Sequence, residues 1–80
     1  MRVSFYGSLA ELIAREINFT LPRGATVGDV RDQLAVQHPA AAGALSGRGV
    51  RAFVDDVVAT DDAVLSDAVE LAFLPPLSGG

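Results

Sequence analysis

Eighty residues carry ten acidic and six basic side chains, the basic ones all arginine, for a net charge of −4. That length holds one domain with a small core, and an apolar content of 50 % supports a folded chain rather than a disordered one. The lack of cysteine excludes disulfides, thiolate metal sites and a cysteine nucleophile. An acidic chain without a basic patch is a poor ligand for nucleic acid and better suits a partner with a basic surface. With no long apolar run and no basic-then-apolar leader, no membrane association is expected and the cytoplasm is the expected compartment.

In chain order, Met1 to Tyr6 reads as a strand, with Val3 and Phe5 alternating against Arg2, Ser4 and Tyr6. Gly7-Ser8 breaks it. Ser8 and Glu11 have capping-box spacing, and Leu9, Leu12 and Ile13 share a helical face, which predicts a short helix over 9–15. Ile17, Phe19 and Leu21 alternate in a second strand, expected antiparallel to the first. Pro22 to Ala25 is a turn. Thr26 with Asp29 then caps the main helix, 27–37, whose inner face is Val27, Val30 and Leu34 and whose Arg31, Asp32 and Gln33 are expected outward. His38-Pro39 ends it.

The stretch 40–49 is alanine, glycine and serine around Leu45 and is expected as a loose loop with at most a helical turn. Residues 50–54 form a third strand, Asp55-Asp56 a tight turn, and 57–59 an edge strand, with the apolar residues from Val50 to Val58 expected in the core. Thr60 to Asp62 caps a turn that delivers Val64 and Leu65 inward. Ser66 to Ala68 leads into the last strand, 69–74. Strands before and after one main helix predict an α+β two-layer domain. Its mixed sheet places the first and last strands side by side.

The last strand runs into Pro75-Pro76-Leu77-Ser78-Gly79-Gly80. Proline has a fixed φ and no N–H, so the strand stops there and the chain continues extended. Serine and two glycines make a slim end that fits a narrow channel. A terminal diglycine alone is usually a frayed end. This one follows an apolar strand after a stiff, short spacer.

Other candidates for chemistry are weak. His38 stands in a His-Pro pair where it serves a helix end. Asp55-Asp56 and Asp61-Asp62 sit in turns that favour aspartate, with too few oxygen ligands for a metal. Gly43, Gly47 and Gly49 form no phosphate-binding motif. What remains is the carboxylate of Gly80. It is inert until a partner enzyme turns it into an acyl-adenylate with ATP, after which sulfide can convert it to a thiocarboxylate.

The chain resembles the MoaD/ThiS family of ubiquitin-like sulfur carriers, in particular its molybdopterin synthase branch. The resemblance spans the chain: Val3-Ser4-Phe5-Tyr6-Gly7 with Leu9 and Glu11-Leu12, then Ala25 to Val30 with Leu34 and Pro39, then Val69 to Gly80. Asp55, Ser66-Asp67 and Ala10 depart from the family's usual asparagine, Gly-Asp and arginine, all in turns and contact positions. The resemblance implies a β-grasp fold over 1–74, about five strands packed on one main helix, with a tail at 75–80. It implies an ATP-using MoeB-like adenylating enzyme, a sulfur donor and a MoaE-like large subunit as partners, in a hetero-oligomer when active. No tightly bound cofactor and no metal are implied. Gly80 would carry the sulfur, Ser78 and Gly79 would thread a channel, and Pro75, Pro76 and Leu77 would set the reach. Phe73, Leu74, Phe5 and Tyr6 are the candidates for an apolar docking patch, with core packing the other reading of Phe5 and Phe73. A carrier for thiazole or cysteine synthesis, a modifier joined to target lysines, and an inert β-grasp binding module are the competing readings.

Overall fold

The computed structural model describes residues 1–47, 49–66, 68 and 70–76. Strand β1 (Arg2–Phe5) buries Val3 and Phe5 and leaves Arg2 in solvent. Gly7 then turns the chain at φ 57 and is itself the N-cap of α1 (Ser8–Leu12). Ser8 is therefore already inside the helix, and the expected Ser8–Glu11 capping box does not form. The helix is also shorter than predicted. The Arg15 carbonyl accepts from Phe5 N–H at 2.9 Å, which pulls the chain back to the sheet. Strand β2 (Glu16–Asn18) follows, antiparallel to β1 with Val3 opposite Ile17. It is shorter than the predicted strand, its pairing closing where Phe19 N–H donates to the Met1 carbonyl.

The main helix, α2 (Val27–Gln37), starts and stops as predicted. Thr26 Oγ1 accepts from Asp29 N–H at 3.2 Å, and Asp29 Oδ2 accepts from Thr26 N–H at 2.9 Å, a complete capping box. Its Val27, Val30 and Leu34 are buried. His38 closes the helix, its N–H donating to Leu34 O, and Pro39 opens a 3₁₀ turn (Pro39–Ala41). A third helix, α3 (Ala42–Ser46), comes next. The expected loose loop is thus largely helical. Alanine has the highest helix propensity, and Ala41 and Leu45 are fully buried, anchoring the segment.

Strands β3 (Arg51–Val54) and β4 (Val57–Ala59) form a hairpin around Asp55 and Asp56, both at positive φ. Such a turn matches the twist of the strands, and aspartate tolerates the left-handed region. Val57 and Val58 are mostly exposed rather than core, because β4 is the sheet's edge and runs past the helical layer. Val64, expected inside, is also exposed. Its backbone bridges to Thr26 while Leu65 fills the core position. Strand β5 (Glu70–Leu74) completes the five-stranded order β2-β1-β5-β3-β4, parallel to β1 and antiparallel to β3. The first and last strands are neighbours, as expected.

One sheet face packs on the helices around Leu9, Leu34, Leu45, Leu71 and Phe73, and the other is open. No helix among the described residues is long and apolar enough to cross a membrane.

Replacing Leu45 with alanine is expected to lower unfolding stability by about 2–5 kcal/mol, the cost of a core cavity. Urea denaturation measures it, and a loss under about 1 kcal/mol would show that α3 is not docked.

Candidate functional site

The chain leaves the sheet at its centre. Strand β5 lies between β1 and β3, with Phe73 opposite Phe5 on one side and Ala52 on the other. Tyr6 N–H donates to Phe73 O at 3.3 Å, one step before Pro75 ends the ladder. The residues expected to thread a channel begin here. Pro75 is half-buried and Pro76 exposed. Leu77, Ser78, Gly79 and Gly80 lie outside the described residues, as do Val69, the expected first residue of the strand, and Asp67 of the turn before it.

The four expected docking residues divide by the parity of their strands. Phe5 and Phe73 are 2 % and 0 % exposed, their rings stacked at 6.0 Å between centroids and 15° between planes. They belong to the core and support the surface from beneath. A strand alternates faces, so the residues after them point the other way. Tyr6 is 51 % exposed and Leu74 half-buried, both on the open face.

That face has two ends. Near the chain exit, Tyr6, Phe53 and Leu74 surround a shallow depression of about 280 Å³ floored by Ala72. Phe53 was expected in the core with the other apolar residues of 50–58, but it is half-buried on the open face. Ala52, its neighbour in β3, is buried, so Phe53 falls on the opposite face. At the other end Arg2 lies directly across from Glu70. Its Nε and Nη2 donate to Glu70 Oε2 at 2.8 and 2.5 Å, and Glu16 Oε1 lies 3.6 Å from Nε. The hydrogen bond to Glu70 is the main reason the Arg2 pKa is raised. Asp56 and Glu70 also line the depression, so its apolar side chains at the exit and the acidic rim beside them give a partner both an anchor and a register.

Arg31, expected in solvent on α2, is instead folded inward, its side chain 14 % exposed. Nη1 donates to Leu45 O at 2.5 Å, Nη2 to Asp61 Oδ1 at 2.9 Å, and the guanidinium carbon lies 5.2 Å from the Phe73 ring centroid. One side chain thus ties α2, α3 and the loop before β5 to the strand that carries the exit. An arginine fork suits this, because it hydrogen-bonds and stacks at once.

The remaining sequence candidates have local roles. His38 caps α2, Asp55 Oδ1 accepts from Glu70 N–H at 2.9 Å, and Asp62 accepts from the Thr60 hydroxyl. Among the described residues no group of three or more histidine or acidic side chains gathers as for a metal ion.

A single mixed sheet wrapped on one main helix, with β1 and β5 parallel at its centre, defines a ubiquitin-like β-grasp domain. Residues 3–80 match the ThiS family, and the chain belongs to it. The molybdopterin synthase sulfur carrier subunit of Escherichia coli (strain K12) is 30 % identical over 80 residues, covering 100 % of this chain and 99 % of that one. A crystal structure of SAMP1 from Haloferax volcanii superposes with a TM-score of 0.87 at 28 % identity, covering 99 % of this chain and 97 % of that one. A crystal structure of the H. volcanii small archaeal modifier protein 1 gives 0.84 at 25 % identity, covering 95 % of each.

Arg31→Ala is expected to cost about 2–4 kcal/mol, from a lost charged hydrogen bond to a part-buried carbonyl and a lost ring contact. Asp61→Asn, at an exposed partner, is expected to cost under about 1 kcal/mol. Urea unfolding of the two variants checks the contrast; equal losses would place the weight on the ion pair instead.

Proposed function

We propose that the chain is the sulfur-carrying small subunit of a molybdopterin synthase. The single observation that supports this most is the likeness to the E. coli sulfur carrier subunit, which runs the full length of both chains. The Gly80 carboxylate attacks the α-phosphate of ATP on a MoeB-like enzyme, forming an acyl-adenylate and releasing pyrophosphate. Sulfide delivered by a donor then attacks the acyl carbon and displaces AMP, leaving a thiocarboxylate. Glycine suits this step because no side chain crowds the acyl carbon. The tail next enters a MoaE-like large subunit, where its sulfur bonds to cyclic pyranopterin monophosphate and water then cleaves the resulting thioester, leaving the sulfur on the pterin and returning the Gly80 carboxylate. In this scheme the chain binds no cofactor tightly, and the ATP is held by the adenylating enzyme. The catalytic side chains belong to the partners, which fits a chain whose Asp29, Asp55 and Asp62 serve a cap and turns. Such a carrier works in the cytoplasm, where these partners would meet it.

The open-face patch of Tyr6, Phe53 and Leu74 is the docking anchor in this reading. It adjoins the exit, so seating it delivers the tail. Pro75, Pro76 and Leu77 set the reach, and Ser78 and Gly79 pass the channel.

A second reading, a protein modifier joined through Gly80, is favoured by the likeness to the small archaeal modifier protein of H. volcanii. The same activation step serves both readings. They part at the acceptor, a pterin or a target lysine.

Intact mass spectrometry after incubation with a MoeB-like enzyme, ATP and sulfide is expected to show replacement of one oxygen by sulfur. Deletion of Gly80 is expected to abolish this with the fold unchanged by circular dichroism. No mass gain with a demonstrably active enzyme would sink the carrier reading; the modifier reading needs only the acyl-adenylate and is tested by blotting cells for higher-mass conjugates. Tyr6→Ala is expected to weaken binding to the large subunit about fivefold or more, as loss of an aromatic anchor does, measured by calorimetry with melting temperature as the control.

A further inference from the structure

The strand register brings two glycines to the chain exit. Phe5 pairs with Phe73 in parallel, so two residues on Gly7 comes level with Pro75. Arg51 pairs with Leu74 in antiparallel, so two residues back Gly49 comes level with Pro76. The contacts agree with the register. A Cβ on Gly7 would lie 2.9 Å from Pro75 Cγ and 3.7 Å from Cδ. A Cβ on Gly49 would lie 3.0 Å from Pro76 Cβ and 3.4 Å from Cγ. Both glycines are at positive φ, 57 and 87, which L side chains disfavour. A proline ring cannot swing aside as a long side chain does, so a methyl group at either place must move backbone.

Resting on the carrier reading above, we propose that Gly7 and Gly49 are positioning residues for tail transfer. They form the two sides of a seat that fixes the diproline and so sets the direction in which the chain leaves the sheet. The geometry gives the seat a purpose that fold stability does not require. Proline cannot continue the ladder, so β5 loses its hydrogen bonds to both neighbours at the point where direction must be held. Close approach of rings to bare backbone, first on the β1 side and then on the β3 side, replaces them. The docking patch lies on the open face and neither glycine lines it, although Gly7 follows its Tyr6 in the chain. Binding and aiming therefore separate most cleanly at Gly49, which neither lines the patch nor adjoins a residue that does.

The test compares Gly7→Ala and Gly49→Ala with Gly24→Ala. Gly24 has the same positive φ, 78, but open space around its Cβ, so it carries the backbone strain without the contact. The melting temperature is expected to fall for all three, and least for Gly24→Ala, which lacks the contact. In steady-state activation by an adenylating enzyme, KM for the carrier is expected to hold for all three. The kcat is expected to fall about tenfold or more for Gly7→Ala and Gly49→Ala only, since a misplacement near 1 Å can cost ~10². Equal kcat for all three, with wild type active, would overturn the positioning role alone. An inactive wild type would overturn the carrier reading and the role with it. Should a variant fail to fold, nuclear Overhauser contacts in the wild-type protein decide. Contacts from Gly7 Hα to the Pro75 ring and from Gly49 Hα to the Pro76 ring are expected, and their absence would overturn the seat.

Discussion

The structure depends on β5 being the central strand. It is the last strand in sequence, yet it pairs on both sides, parallel to β1 and antiparallel to β3. Its Phe73 is fully buried, stacked on Phe5 and approached by the Arg31 guanidinium. Parallel pairing of the first and last strands requires a long connection between them, and the helices of that connection supply the opposite wall of the core. Burying one strand in this way therefore fixes the sheet order, the helical layer and the exit of the chain together.

This arrangement separates holding from chemistry. The charged groups described mostly serve structure: Asp29 in a cap, Asp55 in a turn, Arg31 in a tie, Arg2 and Glu70 in a cross-strand pair. On the carrier reading the reacting group is a backbone carboxylate, which needs no neighbour of its own because the partner provides the activating site. The carrier's task is then geometric. It must present a slim end at a defined distance and direction from a patch that another protein can grip.

Much of this was legible in the sequence because local signals agreed. Thr26 and Asp29 at capping spacing, Val27, Val30 and Leu34 at helical spacing, and His38-Pro39 at the end give α2 without tertiary knowledge. The first two strands alternate, and Asp55-Asp56 marks the hairpin. Other features needed the fold. The alanine-rich stretch 40–49 has no apolar periodicity beyond Leu45, so its helical state rests on burial of Ala41 and Leu45 against α2. Arg31 has the charge of a surface residue, and only the neighbouring α3 and Asp61 give its fork a reason to turn inward. Ser8 and Glu11 have the spacing of a cap but not its register, because Gly7 makes the turn one residue earlier. At the site, alternation already required one residue of each neighbouring pair to be core. Which one followed from the buried face, and it left Tyr6 and Leu74 outside and Phe5 and Phe73 within.

The diproline sits where two physical demands meet. The core needs β5 to be a fully paired strand up to Leu74, because its hydrogen bonds cannot be left unmet between two neighbours. A tail for a channel needs the opposite, a chain freed from pairing so that it can enter another protein. Continuing the strand would satisfy the first demand and defeat the second, and a flexible glycine linker would do the reverse. Two prolines end the ladder without adding freedom, since their φ is fixed and they press the preceding residues into extended geometry. The ladder is thereby closed at Pro75 and Pro76, and the patch of Tyr6, Phe53 and Leu74 lies directly beside them.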